Sequence, residues 1–324
     1  MMDRKAQLVE VFSDTQRFWM ENPVLAAAVD KSRNATRLYE ADDYPELPIR
    51  SSIEQLMLIA DDPDASLSAQ AGSWEKIRRL ENGEIPDLAK HPGDVAVTQL
   101  KTFEAAIRLH HEYPSKKIAV LNFASAMRSG GGVKGGSSAQ EEALCRCSTL
   151  YPTLDRRWLW EKYYDVNRAA NDVKHSDACI YSPGIIICKT DESIPQRMEQ
   201  CDWVTVDVIS CAAPNLRNEP ANWQNPETGA AIRMPDQLLF EIHVRRAKHI
   251  LTIAAANRID ILVLGAFGCG AFSNDPTIVA KAYRAAIPEY RDRFDRIEFA
   301  IYCRSYETAN FDAFCKEMSL LQEA

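Results

Sequence analysis

Over the last two-thirds of the chain, short apolar runs alternate with segments whose apolar residues recur at helical spacing. The apolar runs predict β-strands at residues 95–97, 116–122, 178–181, 184–189, 204–210, 261–264 and 297–302. The helical segments between them are residues 102–111, 235–259 and 275–286. Strands that alternate with helices are typical of parallel sheets covered on both faces, so the pattern predicts a three-layer α/β sandwich with a mixed, mostly parallel sheet.

The first third of the chain has a less regular pattern. Residues 3–20 carry apolar side chains at helical spacing and predict one helix. Farther along, the periodicity weakens, and polar, proline-bearing stretches occur at residues 40–45 and 61–64. We therefore expect residues 1–94 to form an N-terminal helical accessory region that packs on a core domain spanning residues 95–324.

A glycine-rich segment follows the strand predicted at residues 116–122. Five of the seven residues 130–136 are glycine, and a backbone without Cβ atoms can fold around a ligand with its N–H groups pointing inward. Glu141 and Glu142 come next, where the first turn of a helix is expected. A phosphate cradle beside two carboxylates indicates chemistry on a phosphorylated sugar. The alternative is a flexible connection before a helix that begins with ordinary acidic residues.

A second glycine loop follows the strand predicted at residues 261–264. Residues 265–270 contain three glycines, and Asp275 and Pro276 then supply a helix cap and a first helical residue. A helix N-terminus that follows such a loop is an anion site by geometry. The alternative is a strand-to-helix turn that only permits close packing. The small residues at 210–215 would let the chain pass close to a ligand, or form a plain turn.

Composition narrows the classes of partner. The formal net charge of −8 argues against binding of duplex nucleic acid or an anionic membrane, although it leaves room for a local anion site made of backbone amides. The nine cysteines lie mostly in apolar surroundings, which suits free thiols in a reducing compartment. No run approaches the roughly 18 apolar residues that a membrane span requires. We expect an intracellular, cytoplasmic protein, or a nuclear one in a eukaryote.

Several other chemistries lack their sequence patterns. The six histidines are scattered without metal-ligand spacing, and Cys145 and Cys147 are one residue too close for a C-x-x-C pair, so we expect neither a metal ion nor another cofactor. A G-x-S-x-G motif is absent, which leaves acyl transfer unsupported. A G-x-x-x-x-G-K-[ST] motif is absent too, which argues against nucleoside triphosphate hydrolysis.

The residues in and around both loops resemble the microbial-type poly(ADP-ribose) glycohydrolases, which are catalytic members of the macrodomain fold. The family pattern is GGG, a short spacer and QEE, and here it stands at residues 130–132 and 140–142. The other similar blocks follow in family order at residues 144–152, 180–184, 209–215 and 264–276. A proline commonly precedes the GGG in this family, whereas Ser129 precedes it here, which would loosen the start of the loop.

The resemblance implies a macrodomain-like α/β/α sandwich with an N-terminal helical accessory region. It also implies cleavage of the ribose–ribose O-glycosidic bond of poly(ADP-ribose), with the polymer or ADP-ribosylated proteins as substrate. By motif position, Glu142 would be the general acid, and Glu141 would orient the ribose hydroxyls and hold Glu142 in place. The substrate would be bound by Asn122, Ser125, Gly130, Gly131, Gly132, Val133, Gln140, Gly268, Cys269, Gly270, Ala271 and Phe272.

The acidic surface bears on how a polymeric substrate is engaged. Poly(ADP-ribose) is a polyanion, so a protein of charge −8 is expected to bind a terminal unit rather than the length of the chain, and to release ADP-ribose. Two alternatives to this enzyme are a module that binds ADP-ribose without turnover and a hydrolase of mono-ADP-ribosyl groups. The paired acids favour an enzyme, because a pure binding module has no need of them.

Overall fold

The computed structural model describes residues 3–47, 52–82, 93–217 and 233–321. Residues 1–2, 48–51 and 83–92 of the expected accessory region therefore lie outside the described residues. Within the described residues, none of the helices combines the length and the apolar character needed to cross a membrane.

The described parts of the chain contain twelve α-helices and seven β-strands. The helices are α1 (Arg4–Glu21), α2 (Pro23–Ala35), α3 (Ser52–Ala60), α4 (Leu67–Glu81), α5 (Thr102–Glu112), α6 (Gln140–Cys147), α7 (Tyr151–Leu154), α8 (Arg157–Leu159), α9 (Asp165–Ala170), α10 (Asp236–Ala256), α11 (Pro276–Ala286) and α12 (Ala309–Ser319). The strands are β1 (Arg37–Tyr39), β2 (Asp94–Thr98), β3 (Ile118–Phe123), β4 (Cys179–Ile187), β5 (Val204–Cys211), β6 (Ile261–Leu264) and β7 (Arg296–Ala300).

All seven strands form one sheet in the order β1-β4-β5-β3-β6-β7-β2. Strand β4 runs antiparallel to both of its neighbours, β1 and β5. Strands β2, β3, β5, β6 and β7 are parallel to one another. The mixed, mostly parallel sheet predicted from the sequence is thereby confirmed.

Strand β3 shows why the sheet is covered on both faces. Its side chains alternate between two apolar cores, as period-two geometry requires. Ile118 and Val120 pack with helices α1, α2, α5 and α6 on one face. Ala119 and Leu121 pack with helices α10, α11 and α12 on the other. A continuous apolar run is what a strand buried on both faces needs, and the result is the expected three-layer sandwich.

The strands predicted at residues 178–181 and 184–189 are one strand, β4, and the prediction of two was wrong. The pairing of β4 with β5 is irregular between Ser182 and Ile185, where Gly184 has a φ of +69°. Pro183 has no N–H, so the ladder is interrupted there, but it resumes on both sides as at a β-bulge. The other strands and helices predicted after residue 94 lie within a few residues of their predicted bounds.

The first third of the chain is more ordered than its periodicity predicted. It contains α2, α3 and α4 in addition to α1, and also the three-residue strand β1, which joins the main sheet through β4. The start of α2 has a local signal, because the Asn22 side chain accepts hydrogen bonds from the Val24 and Leu25 N–H groups ahead of Pro23. The domain division at residue 94 stays a prediction.

Candidate active site

The two glycine loops lie side by side at one edge of the sheet. Strands β3 and β6 are parallel neighbours, with Val120 opposite Val263, so the loops that follow them leave from the same edge. A cleft of ≈ 860 Å³ lies there. Both glycine loops and the first turn of α6 line it. The rule that ligands bind beyond the carboxyl ends of parallel strands therefore locates the cleft correctly.

The first glycine loop passes directly over the two carboxylates of α6. Gly131 has a φ of +56°, in the left-handed region that favours glycine. A Cβ atom at this position would lie 2.6 Å from Glu142 Oε1 and 3.0 Å from Glu141 Oε2. Glycine is therefore required at residue 131 by both its conformation and the space available.

Gln140 fastens the first turn of α6 to the end of β3. Its Oε1 accepts a hydrogen bond from the Phe123 N–H at 2.8 Å, and its Nε2 donates to the Leu121 carbonyl at 2.7 Å and to Thr102 Oγ1 at 3.0 Å. Ala139, which precedes the helix, offers no side-chain cap. The Gln140 amide thus holds the acid pair in position over the strand end.

Glu141 is buried, with 3% of its surface exposed, and both of its oxygens accept hydrogen bonds. Oε2 accepts from the Ser125 N–H at 2.8 Å, and Oε1 accepts from Asn122 Nδ2 at 3.4 Å. Burial, and then the charge of Glu142, raise the pKa of Glu141 well above its ordinary value, although these two hydrogen bonds act in the opposite direction.

Glu142 has a different environment although it is the next residue. Its Oε1 accepts a hydrogen bond from the Gly132 N–H at 2.8 Å. Its Oε2 is buried and has no hydrogen-bond partner in the protein. The two carboxylates therefore differ, because only Glu142 has an oxygen that accepts no hydrogen bond from the protein.

Asn274 fixes the shape of the second glycine loop. Its Nδ2 lies 2.7 Å from the Pro214 carbonyl, and 3.1 Å from the carbonyls of both Gly268 and Phe272. Its Oδ1 lies 2.8 Å from Nε2 of His243 on α10. The predicted cap of α11 is confirmed, since the Asp275 side chain accepts from the first N–H groups of that helix.

The small residues at 210–215 support the second loop instead of lining the cleft. A Cβ atom at Gly268 would lie 2.6 Å from the Ala213 Cβ atom, so the close approach predicted for this segment is to the loop. Arg246 holds this segment by donating a hydrogen bond to the Ala212 carbonyl at 2.6 Å.

Ten of the predicted site residues line the cleft, namely Ser125, Gly131, Gly132, Gln140, Glu141, Glu142, Gly268, Gly270, Ala271 and Phe272. Asn122, Gly130, Val133 and Cys269 do not line it. Asn122 is fully buried and bonds to Glu141 and Ser210, while Val133 lies in the apolar core. The substrate contacts of all these residues stay predictions.

The cationic side chains of the cleft were missed by the motif-based prediction. Six cationic and four acidic side chains line the cleft. The cleft therefore has an excess of positive charge, although the net charge of the protein is −8. Lys101 and Arg304 follow strands β2 and β7, so the strand-end rule could have identified them. Others come from α1, α6 and two loops, and these cations are Arg4, Arg128, Arg146 and Arg217.

Within the described residues, no group of three or more His, Cys, Asp or Glu side chains is arranged to hold a metal ion. The described cysteines are free thiols.

Comparison with known proteins shows which family the chain resembles. Residues 17–190 match the family described as microbial-type PARG, catalytic domain. The poly(ADP-ribose) glycohydrolase from Thermomonospora curvata has 25% sequence identity and a TM-score of 0.71, over 96% of this chain and 99% of that one. The poly(ADP-ribose) glycohydrolase from Deinococcus radiodurans, solved in complex with ADP-ribose, has 31% identity and a TM-score of 0.65, over 90% and 98%.

A search of curated protein sequences gave no match. The family match nevertheless covers more than half of the 324 residues, and the Deinococcus radiodurans enzyme is similar over nearly its whole length. The chain therefore belongs to the microbial-type PARG catalytic domain family.

Proposed function

We propose that the protein is a poly(ADP-ribose) glycohydrolase, which hydrolyses the ribose–ribose O-glycosidic bond of the polymer and releases ADP-ribose. The observation that carries this proposal is the environment of Glu142. One of its oxygens is held by the Gly132 N–H, and the other has no partner, in a cleft lined by two glycine loops. Family membership supports the same activity.

Substrate binding follows from the walls of the cleft. An ADP-ribose unit has a diphosphate between two riboses, and the two glycine loops can offer it backbone N–H groups without side chains in the way. The excess of cationic side chains favours the diphosphate charge. Phe272, on the second loop, offers a flat apolar surface on which the ribose next to the scissile bond packs.

Glu142 acts as the general acid. Cleavage of a glycosidic bond passes through an oxocarbenium-like state, and the leaving oxygen needs a proton. Glu142 gives that proton from Oε2 as the bond between the anomeric carbon and the leaving oxygen breaks. Water then adds to the anomeric carbon and returns a proton to the Glu142 carboxylate. The diphosphate of the substrate helps to position this water and to stabilise the positive charge.

Glu141 orients the substrate and limits the charge of the acid pair. Its oxygens are held by Ser125 and Asn122, so the carboxyl group keeps one orientation toward the ribose hydroxyls. Its raised pKa has burial as the main cause and the Glu142 charge as the next. Glu141 therefore keeps its proton to a higher pH than an isolated glutamate does, which lowers the negative charge beside Glu142.

Cleavage takes place at chain termini. The cleft is lined by more cations than acids, while the molecule as a whole carries −8. A terminal ADP-ribose unit enters the cleft alone, whereas an internal unit brings a polyanion along the acidic surface on both sides.

The Glu142→Gln variant tests the activity and the role of the acid. Loss of a general acid lowers kcat by on the order of 100-fold to 10,000-fold, while the amide keeps the size of the side chain. ADP-ribose release from poly(ADP-ribose) is measured alongside ADP-ribose binding by calorimetry. Glu289→Gln serves as the control, because that exposed glutamate pairs with Lys248.

Release by the wild type and by Glu289→Gln, with loss of release but intact binding in Glu142→Gln, is the expected result. Tight binding without release by the wild type would leave a module that only binds ADP-ribose. Release from a mono-ADP-ribosylated protein but not from the polymer would instead identify a mono-ADP-ribosyl hydrolase.

A further inference from the structure

The carboxylate of Asp155 accepts three side-chain hydrogen bonds next to the first glycine loop. Ser129 Oγ donates to Oδ1 at 3.0 Å, Trp160 Nε1 donates to Oδ1 at 2.9 Å, and the Tyr151 hydroxyl donates to Oδ2 at 2.7 Å. Lys134 Nζ lies 3.9 Å from Oδ2. Asp155 is therefore a centre on which several separate parts of the chain converge.

Two of these partners flank the glycines that touch the acid pair. Ser129 immediately precedes residues 130–132, and Lys134 follows them by two residues. One carboxylate thus contacts the loop on both sides of its catalytic part. Where the family commonly has a proline before these glycines, this chain has a hydroxyl group that is tied to Asp155.

Tyr151 connects Asp155 to the backbone of the first glycine loop. Its ring packs on Gly130, with Cδ2 only 2.7 Å from the position a Cβ atom would occupy. The Phe12 ring of α1 packs edge-to-face with the Tyr151 ring, with the two ring centroids 5.0 Å apart. Two residues after Gly130, the Gly132 N–H donates to Glu142. A shift of the Tyr151 ring would therefore reach the donor that holds Glu142.

Arg168 connects Trp160 with the part of the chain just before Ser129. Arg168 Nε donates to the Met127 carbonyl at 2.9 Å. The Arg168 guanidinium also lies over the Trp160 ring, 4.7 Å from its centroid. Trp160 begins a π-helical turn, and such turns occur often at functional sites. The tryptophan that donates to Asp155 is thus itself held by a residue that anchors the loop.

The charge of Asp155 strengthens the hydrogen bonds that it accepts. Burial acts to raise its pKa, but hydrogen bonds from Trp160, Tyr151 and Ser129 and the charge of Lys134 outweigh it, so the pKa of Asp155 lies below its ordinary value. The side chain is therefore an ionised acceptor at neutral pH. An ionised acceptor makes stronger hydrogen bonds than a neutral one.

We propose that Asp155 is a positioning residue for the reaction, which sets the first glycine loop so that the Gly132 N–H meets Glu142. This inference rests on the proposed function. Asp155 touches no substrate itself, since it does not line the cleft. Its loss lets the loop move relative to Glu142, and a displacement of the order of 1 Å at a catalytic group costs on the order of 100-fold in rate.

Asp155→Asn is the main variant. The asparagine keeps the shape, but its Nδ2 replaces one acceptor oxygen, so it cannot accept both the hydrogen bond from Tyr151 and those from Ser129 and Trp160. We expect kcat for ADP-ribose release to fall by about 10-fold to 100-fold, while KM changes by less than about 3-fold, because the loop acts on the transition state more than on the ground state. Asp295→Asn is the matched control, since this aspartate pairs with Lys116 at the amino end of β7.

Ser129→Ala is a milder variant that removes one of the three hydrogen bonds. If Asp155 acts through Ser129, this substitution lowers kcat in the wild-type background and has a smaller effect in the Asp155→Asn background. Additive effects of the two substitutions would overturn the proposal. So would an Asp155→Asn enzyme with wild-type kcat.

Amide hydrogen exchange supplies a readout that does not depend on activity. In Asp155→Asn, peptides covering residues 129–136 should exchange faster than in the wild type, while peptides of α11 should be unchanged. Equal acceleration in both would mean a global loss of stability and would overturn the positioning role. If the wild type releases no ADP-ribose but loop exchange responds, the proposed function fails while the positioning of the loop by Asp155 stands.

Discussion

At the scale of single residues, two neighbouring glutamates have different capacities because their oxygens have different partners. Both oxygens of Glu141 accept hydrogen bonds, from Ser125 and Asn122. Glu142 accepts one, from Gly132, and keeps a buried oxygen without a protein partner. Gly131 lies against both carboxylates, and any side chain there would occupy their space.

Gly131→Ala should therefore lower the rate of ADP-ribose release much more than it lowers the free energy of unfolding. The new Cβ atom would meet Glu142 Oε1 at 2.6 Å, and the φ of +56° adds strain of about 1 kcal/mol. We expect kcat to fall by on the order of 100-fold, because the acid must move. ADP-ribose release and thermal unfolding measure the two effects.

Gly135→Ala is the matched control within the same loop. No atom lies within 4 Å of its Cβ position. This variant should keep wild-type activity. Equal losses in Gly131→Ala and Gly135→Ala would show that loop flexibility, and not the space beside the acids, determines the rate.

At the scale of elements, helix α1 supports the site from outside the glycine loops. Thr15 Oγ1 donates to the Arg146 carbonyl of α6 at 2.6 Å. A Cβ atom at Gly136 would lie 2.4 Å from the Lys5 carbonyl oxygen, so the loop rests directly on the α1 backbone. Arg4 and Leu8 line the cleft itself. The first helix is thus a wall of the site as well as a covering of the sheet.

Asp14 is the electrostatic anchor of α1, and it predicts a pH dependence. It contacts Arg197 Nη2 at 2.6 Å and Nζ of the buried Lys189 at 2.8 Å. The hydrogen bond from Arg197 is the largest cause that lowers the pKa of Asp14 from 3.8 to about 2, and Lys189 adds to it. Because the folded pKa lies below the unfolded one, the stabilisation is present above pH 3.8 and is lost as the pH falls through about 2.

Asp14→Asn should lower the free energy of unfolding by about 1 kcal/mol at pH 6, because solvent screens the partly exposed pair with Arg197 while the Lys189 charge is left buried. The difference from the wild type should shrink in measurements toward pH 2. Glu10→Gln, an exposed change on the same helix, is the control and should have little effect at either pH. A pH-independent loss in Asp14→Asn would mean that shape, not charge, anchors the helix.

At the scale of the whole molecule, the charge that lines the cleft is opposite in sign to the net charge of the protein. The chain carries −8, yet the cleft is lined by more cations than acids. A polyanionic substrate therefore meets attraction inside the cleft and repulsion around it. The range of that repulsion is the Debye length, which is about 30 Å at 0.01 M ionic strength and about 8 Å at 0.15 M.

Early digestion products of long poly(ADP-ribose) should therefore be ADP-ribose, without free oligomers of intermediate length. The measurement is chain-length analysis of products at low turnover, at about 0.01 M and about 0.15 M ionic strength. Oligomers that arise only at the higher ionic strength would assign the terminal preference to the electrostatic field. Abundant oligomers at the lower ionic strength would contradict terminal cleavage.

The parts of the fold that could be predicted have strong local signals. Strand β6, Ile261–Leu264, was predicted with its observed bounds because four apolar residues in a row stand between turn residues. The cap of α11 was predicted from two adjacent residues, Asp275 and Pro276. Strand β1 could not be predicted in this way, because only pairing with β4 makes a strand of three residues.

By itself the sequence determined the layered α/β architecture and the place of the acid pair. Strand periodicity, glycine clusters and the first turn of α6 are all encoded within a few consecutive residues. Only the tertiary structure decided which residues complete the site. Asp155 contacts Ser129, and Glu141 contacts Asn122, across loops and elements. Arg4 and Arg304 line one cleft although they come from opposite ends of the chain. Such contacts depend on how helices pack on the sheet, and no local pattern contains that information.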